Sequence, residues 1–197
     1  MPAVLADDTL DQLFREGRSY NGFLDKPVSD ETLKTLAELT SLGPTEANTL
    51  PGRFVFVKSP EAKEKLLSVV APGNQAKTKS AAVSIIAGYD LDFYENLPKT
   101  FPHADARSWY AGSPDERLQF SALRSASLQV GYLTIAARAL GLDVGPIAGF
   151  DAAAVDAAFF PNSRIKTFVI VNLGYGDKST LFPRLPRLDF DDYAKIV

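Results

Sequence analysis

Near the N-terminus apolar residues recur at helical spacing, at Leu10, Leu13 and Phe14, and Gly17 marks a stop. Ser29 is placed to cap a second helix, with Asp30 and Glu31 in the first turn where the helix dipole favours anions. Leu33, Leu36, Ala37 and Leu39 form its apolar stripe, and Gly43-Pro44 ends it. Residues 53–58, RFVFVK, alternate as a strand does, and Ser59-Pro60 opens another helix with proline where its missing N–H costs nothing. Ala81 to Gly88, AAVSIIAG, is patterned as a buried strand. Residues 92–115, rich in Pro, Asp, Gly and aromatics, predict an irregular excursion of the kind that serves as a lid, a binding loop or an oligomer contact. The strongest helical signal runs from Glu116 to Leu140 and closes at Gly141. Its second half, LQVGYLTIAARAL, is apolar or small nearly all round, which predicts burial on most sides and packing against a partner subunit. Asp151 caps a short Ala-rich helix, Thr167 to Leu173 is a buried strand, and the tail FPRLPRLDFDDYAKIV begins extended. Mixed helices and strands without repeats or linkers point to an α+β or mixed three-layer sandwich.

Composition narrows the chemistry. The 197 residues suit one domain over 1–197, and 46% apolar content lets it bury a core without staples. A net charge of -3 argues against nucleic acid as partner, because phosphate neutralisation needs a basic surface. With no cysteine there is no disulfide and no sulfur-ligated metal, and with His103 as the sole histidine a multi-histidine metal site or a His-based triad has little to work with. The N-terminus lacks a basic region followed by an apolar run, and the longest apolar stretch, Leu128 to Leu140, is interrupted by Gln129, Thr134 and Arg138. The expectation is a soluble cytoplasmic protein without a membrane partner, whose reactivity comes from something it binds.

Four segments carry candidate chemistry. In Gly17-Arg18-Ser19-Tyr20-Asn21-Gly22-Phe23 an arginine beside a hydroxyl and an amide can hold a phosphate, or the segment is a solvated helix–helix turn. Gly43 to Pro51, GPTEANTLP, offers Thr45 and Asn48 to a polar heterocycle, or is ordinary turn chemistry. Gly141 to Phe150, GLDVGPIAGF, has glycines that let the backbone approach a flat ligand, but it is neither a dinucleotide fingerprint nor a P-loop. The FPHADARSW segment, 101–109, gathers His103, Arg107 and Trp109, with His103 as a proton donor, an anion contact or a structural residue. Asp191-Asp192 is a solvated face rather than an acid–base pair.

Taken together, the segments resemble the nitroreductase family of FMN enzymes over essentially the whole chain. The residues carrying the likeness are RSYNGFLDKPVSDE from Arg18, Pro44 to Pro51 before a strand, Ala136 to Leu142 at a helix end, Pro146 to Phe150, and an arginine-containing tail. NGF after Arg-Ser, FPHADARSW, GP-x-x-GFD and GYGD…RLPRL are similar to the malonic semialdehyde reductase, or 3-hydroxypropanoate dehydrogenase-like, branch. The sequence departs from the family pattern at Gly17, Asn21, Leu50 and Ala148.

The resemblance implies a mainly antiparallel mixed sheet flanked by helices and a homodimer with a long buried interface helix and two FMN sites between subunits. It implies that Arg18, Ser19 and Asn21, with Tyr20 in the same segment, contact the phosphate or ring, and that Pro44, Thr45 and Asn48 face the ribityl chain or ring edge. Pro146, Ile147, Ala148 and Gly149 would line the flavin, the Gly149 amide near N5, and Arg184 or Arg187 would complete the phosphate site. No side chain is then covalently catalytic: hydride passes from NADH or NADPH through the flavin to a second substrate by a ping-pong route. That substrate is a small carbonyl or nitro compound, malonic semialdehyde foremost, with Arg107 as carboxylate partner and His103 behind it. A generic nitro- or quinone reductase and a non-catalytic flavin-binding protein are the alternatives.

Overall fold

The computed structural model describes residues 3–197. The elements are α1 (Asp7–Leu10, running on as a π-helical turn through Asp11–Arg15), α2 (Asp30–Ser41), β1 (Gly52–Val57), α3 (Pro60–Leu67), α4 (Pro72–Ser80), β2 (Val83–Asp90), α5 (Leu97–Thr100), α6 (Asp115–Ala139), β3 (Asp143–Ile147), α7 (Ala152–Phe159), β4 (Ile165–Gly174) and α8 (Phe190–Tyr193). The four strands form one sheet in the order β1-β2-β4-β3, antiparallel at every pairing, and the parallel bridge between Ser19 and Val144 adds the mixed character.

Strand alternation decides the layers. On β2, Ile85 points to one face, with Leu36 of α2 and Leu133 of α6, while Ile86 points to the other, with Leu66 of α3 and Val155 of α7. On β4, Val171 and Ile170 divide in the same way. The result is an α+β sandwich of three layers with helices on both faces. None of the helices in the described residues is long and apolar enough to cross a membrane.

The expected helix and strand starts recur in the structure. The Ser29 hydroxyl accepts from the Thr32 N–H, the Ser59 hydroxyl from Ala62, and the Asp151 carboxylate from Ala154. Gly141, at φ +73°, ends α6 in the left-handed region. Residues 92–115 are less irregular than their composition predicts. Short 3-10 turns at Phe93–Asn96 and Ala106–Trp109 flank α5, and Phe93, Leu97, Ala106 and Tyr110 pack on Leu118, Ala122 and Ala126 of α6. The tail is extended until α8, whose capping box uses the Asp189 and Asp192 side chains.

Besides α5, both β3 and α4 lie where the sequence pattern predicts no element. β3 runs through Gly145-Pro146, and Pro146 is tolerated because β3 is the sheet edge. α4 has no apolar stripe, and Thr78 is its one buried residue. The helix α6 also buries only one side within the chain. Ala122, Ala126, Gln129, Leu133, Ala136 and Ala137 face the core, whereas Phe120, Leu128 and Tyr132 are 67%, 48% and 45% exposed.

Candidate active site

The segment from Gly17 to Phe23 leaves α1 and runs beside the sheet edge. The Tyr20 N–H donates to the Val144 carbonyl at 3.0 Å, and Ser19 bridges to Val144. Gly145 permits this, since a Cβ there would lie 2.4 Å from the Tyr20 carbonyl oxygen. The Tyr20 ring turns inward and is buried with Phe23, against Gly176. Arg18, Ser19 and Asn21 face the other way, into a pocket of about 260 Å3 also lined by Arg138, Phe182, Arg184 and Arg187.

Four guanidinium groups and no carboxylate line this pocket. Each arginine is oriented by backbone carbonyls instead: Arg18 donates to Phe182 (2.6 Å), Arg138 to Leu13 (2.7 Å), Arg184 to Arg15 and Gly17 (2.7 and 3.0 Å), and Arg187 to Leu185 and Pro186 (3.0 and 3.2 Å). Carbonyls fix the forks without neutralising them, so the pocket keeps its positive charge for an anion. Burial lowers the Arg138 pKa, Asp143 opposes that, and Arg184 adds to it. An arginine stays charged regardless. Arg138 is absent from the sequence reading, where it is only a polar interruption in an apolar helix.

Beside the pocket, α4 joins two of the candidate segments. Its Lys77 ammonium donates to Asn21 Oδ1 at 3.1 Å, and Asn74 Nδ2 donates to the Gly149 carbonyl at 3.1 Å. Asn74 and Lys77 are three residues apart and so share a helix face. A Cβ on Gly149 would lie 2.5 Å from Asn74 Nδ2. Pro146 and Ala148 are exposed along the same edge, while Ile147 points into the core with Val57, Leu66 and Ile170. Asn74 and Lys77 also escape the sequence reading. The available signal is Pro72 at a helical first position, followed by a polar run with no stripe to confirm it.

The Thr45 to Leu50 loop is strained. Ala47, Asn48 and Leu50 have φ of 47°, 52° and 43°, three left-handed non-glycine residues out of four. Such strain costs of order 1–3 kcal/mol per residue and persists only where surrounding contacts enforce it. Here the Glu46 carboxylate accepts from Ser121 Oγ (2.6 Å) and pairs with Arg124 (2.7 Å), and the Glu46 N–H donates to Ser125 Oγ. Thr45 Oγ1 accepts from the Leu50 N–H, and Asn48 Nδ2 donates to the Thr100 carbonyl at 2.7 Å. Pro44 is exposed at the entry to the loop. Burial pushes the Glu46 pKa up, but Ser121, Arg124 and Arg117 together bring it below the ordinary carboxylate value.

The loop and the arginine pocket are far apart. The loop is anchored on Ser125 and the pocket on Arg138, 13 residues apart along α6, or about 20 Å at 1.5 Å per residue. Between them the exposed side of α6 and the N-terminal residues Leu5, Leu13 and Phe14 line an apolar groove of about 1150 Å3. One chain therefore brings Arg18, Ser19, Asn21, Arg184 and Arg187 together, with Gly149 linked through α4, but leaves Thr45 and Asn48 at the other end. Asn48's bond to Thr100 puts the excursion at that second end. There Arg107 donates to both carboxylate oxygens of Glu95, at 2.8 and 2.7 Å, and the His103 ring lies tilted against Phe101, centroids 3.9 Å apart, beside Trp109.

Residues 15–175 match the family model described as the nitroreductase family. The chain belongs to the nitroreductase family. Two relatives of this family share its length: one from Burkholderia lata is 57% identical over 193 residues, covering 98% of each chain, and one from Stenotrophomonas maltophilia is 58% identical over 196 residues, covering all of both. Both bear the name "Putative NADH dehydrogenase/NAD(P)H nitroreductase". In fold, the chain is similar to a structure from Exiguobacterium sibiricum, described as a "putative nitroreductase in complex with FMN", with TM-score 0.88 and 22% identity over the whole of both chains. The nitroreductase fold thus accounts for the sandwich. The chemistry of the arginine pocket fits a phosphorylated flavin: guanidinium forks for a phosphate, with amide and ammonium groups for a heterocycle.

Proposed function

We propose that the protein is an FMN-dependent NAD(P)H oxidoreductase that works as a cytoplasmic homodimer on small carbonyl or nitro acceptors. The observation that carries this reading is the set of four unneutralised guanidinium groups around Ser19 and Asn21. Arg18, Arg138, Arg184 and Arg187 would hold the phosphate, and Asn21, Lys77 and the 146–149 edge would hold the ring. FMN, when bound, supplies the hydride transfer for which no side chain here is suited. The chain's own residues orient the group, hold its phosphate charge and shield it from water.

The separation of the two half-sites supports the dimer. A two-fold axis crossing α6 near Gly131 would lay two copies of α6 antiparallel and bring each copy's strained loop to the other's arginine pocket. It would also cover the apolar groove and Phe120, Leu128 and Tyr132, which stand open in one chain. Sedimentation and flavin extraction test this: the reading expects one FMN per chain and two chains per particle. A monomer holding stoichiometric FMN contradicts it.

Within the acceptor class we put forward malonic semialdehyde, on the FPHADARSW loop, with Arg107 as the carboxylate's partner and His103 beside it. One observation favours a second reading. Glu95 already holds Arg107 in a bidentate pair, which leaves the excursion its aromatic face and suits a neutral nitroaromatic or quinone. Comparing kcat/KM for malonic semialdehyde and a nitroaromatic separates the two.

A further inference from the structure

We propose that Lys63 is a positioning residue for the cofactor: its ammonium pins the C-terminal turn of α4 to β2 and so sets where Asn74 and Lys77 stand. This rests on the FMN reading above. α4 has little to hold it in place by itself. Its sequence, PGNQAKTKS, is rich in poor helix formers, its N-cap Ala71 offers no side-chain bond, and nine residues do not make a stable helix unaided. With no apolar stripe, its position depends on polar bonds. Gln75 donates to the Leu67 carbonyl near the start, and Lys63 of α3 closes the far end.

The Lys63 ammonium spends all three donors there. It donates to the carbonyls of Thr78 and Ala81, at 3.1 and 3.0 Å, and to Ser84 Oγ at 2.9 Å. Ser84 donates to Asn172 Oδ1 at 2.7 Å, and Asn172 Nδ2 donates to Thr78 Oγ1 at 3.2 Å, so the bonds close a ring from α3 through β2 and β4 to α4. Ser84, Asn172 and Thr78 are wholly buried. Among the described residues Lys63 pairs with no carboxylate, and a cation left in that state is costly unless its hydrogen bonds are complete. A methionine would fill the space without that cost but would release α4. The same helix carries Asn74 to Gly149 and Lys77 to Asn21, so a loosened C-terminal turn is felt at both segments that line the flavin.

Burial lowers the Lys63 pKa from 10.5 to about 8. The clamp therefore has three donors at neutral pH and two above 8. The charged groups facing it are Lys26, Lys58, Lys79 and Asp25 around the adjoining pocket, with Lys58 neutralised by Asp30 and Lys26 seated over the Tyr175 ring.

The test is the FMN dissociation constant, from flavin fluorescence, on both sides of pH 8 for the wild type, Lys63→Met and Ser84→Ala. Lys63→Met removes all three donors and should raise it about ten-fold, and speed hydrogen exchange in α4. Ser84→Ala removes one acceptor and should give a smaller rise of the same sign. The wild-type constant should climb as pH passes 8, and the Lys63→Met constant should be flat. If Lys63→Met does not fold, Ser84→Ala and the wild-type profile decide. FMN bound equally by all three chains, with one pH profile, overturns the inference. A wild-type chain that binds no FMN overturns the parent reading instead.

Discussion

Arg184, in the tail, donates to the carbonyl of Gly17 at 3.0 Å, so the two ends of the described chain meet over one cationic pocket. The tail is otherwise exposed, and Phe182, Leu185 and Leu188 have no core of their own. Arg184→Ala should therefore weaken FMN binding by at least about ten-fold, the scale of a lost charge-assisted bond, while barely moving the melting temperature of the apoprotein. Fluorescence titration beside a thermal melt checks both halves.

Gly149→Ala would drive a methyl group to within 2.5 Å of Asn74 Nδ2. The side-chain amide must then swing off the Gly149 carbonyl. Gly149→Ala and Asn74→Ala should each weaken FMN, and together they should weaken it little more than either alone, since both break one bond. Additive losses in the four dissociation constants would mean that the two residues act separately.

Glu46 holds the strained loop. Its pKa in the fold lies below the ordinary 4.5, so the unfolded chain binds more protons in the acid range and the stabilisation is complete above pH 4.5. It is lost as pH falls through the lower folded value. Glu46→Gln should melt earlier than wild type at neutral pH, and the gap should close below pH 4.5. A gap independent of pH would contradict the assignment.

Arg107 and Glu95 are both about half exposed, and such a pair contributes roughly 0–1 kcal/mol to stability. Breaking it thus reports on function rather than folding. Arg107→Ala should raise KM for malonic semialdehyde and leave a neutral nitroaromatic unaffected, whereas Glu95→Gln, which frees the guanidinium, should lower KM for the oxo-acid. Equal effects on both acceptors would favour the generic reductase.

Several elements were legible in the sequence: α2 by its stripe, α6 by its long run of apolar and small residues closed at Gly141, β2 and β4 by continuous apolar runs. β3 was not, because Gly145 and Pro146 interrupt the pattern and an edge strand tolerates them. Nor was α4, whose anchors are hydrogen bonds made to residues distant in the chain. Of the candidate site, Arg18, Ser19, Asn21, Arg184 and Arg187 were legible as polar groups in turns and tail, and they share one pocket. Arg138 lay hidden in an apolar helix. The distance between Asn48 and that pocket was illegible as well, because it is set by where α2 and α6 pack, not by spacing along the chain.

The central claim is a flavin held in the arginine pocket and reduced by NAD(P)H. Anaerobic addition of NADH or NADPH to the purified, FMN-loaded protein, followed by visible absorption, tests it most directly. The account predicts a bound-flavin spectrum that bleaches with either nicotinamide and returns on adding an acceptor. A colourless protein that takes up no FMN, or a bound flavin that neither nicotinamide bleaches, would contradict it.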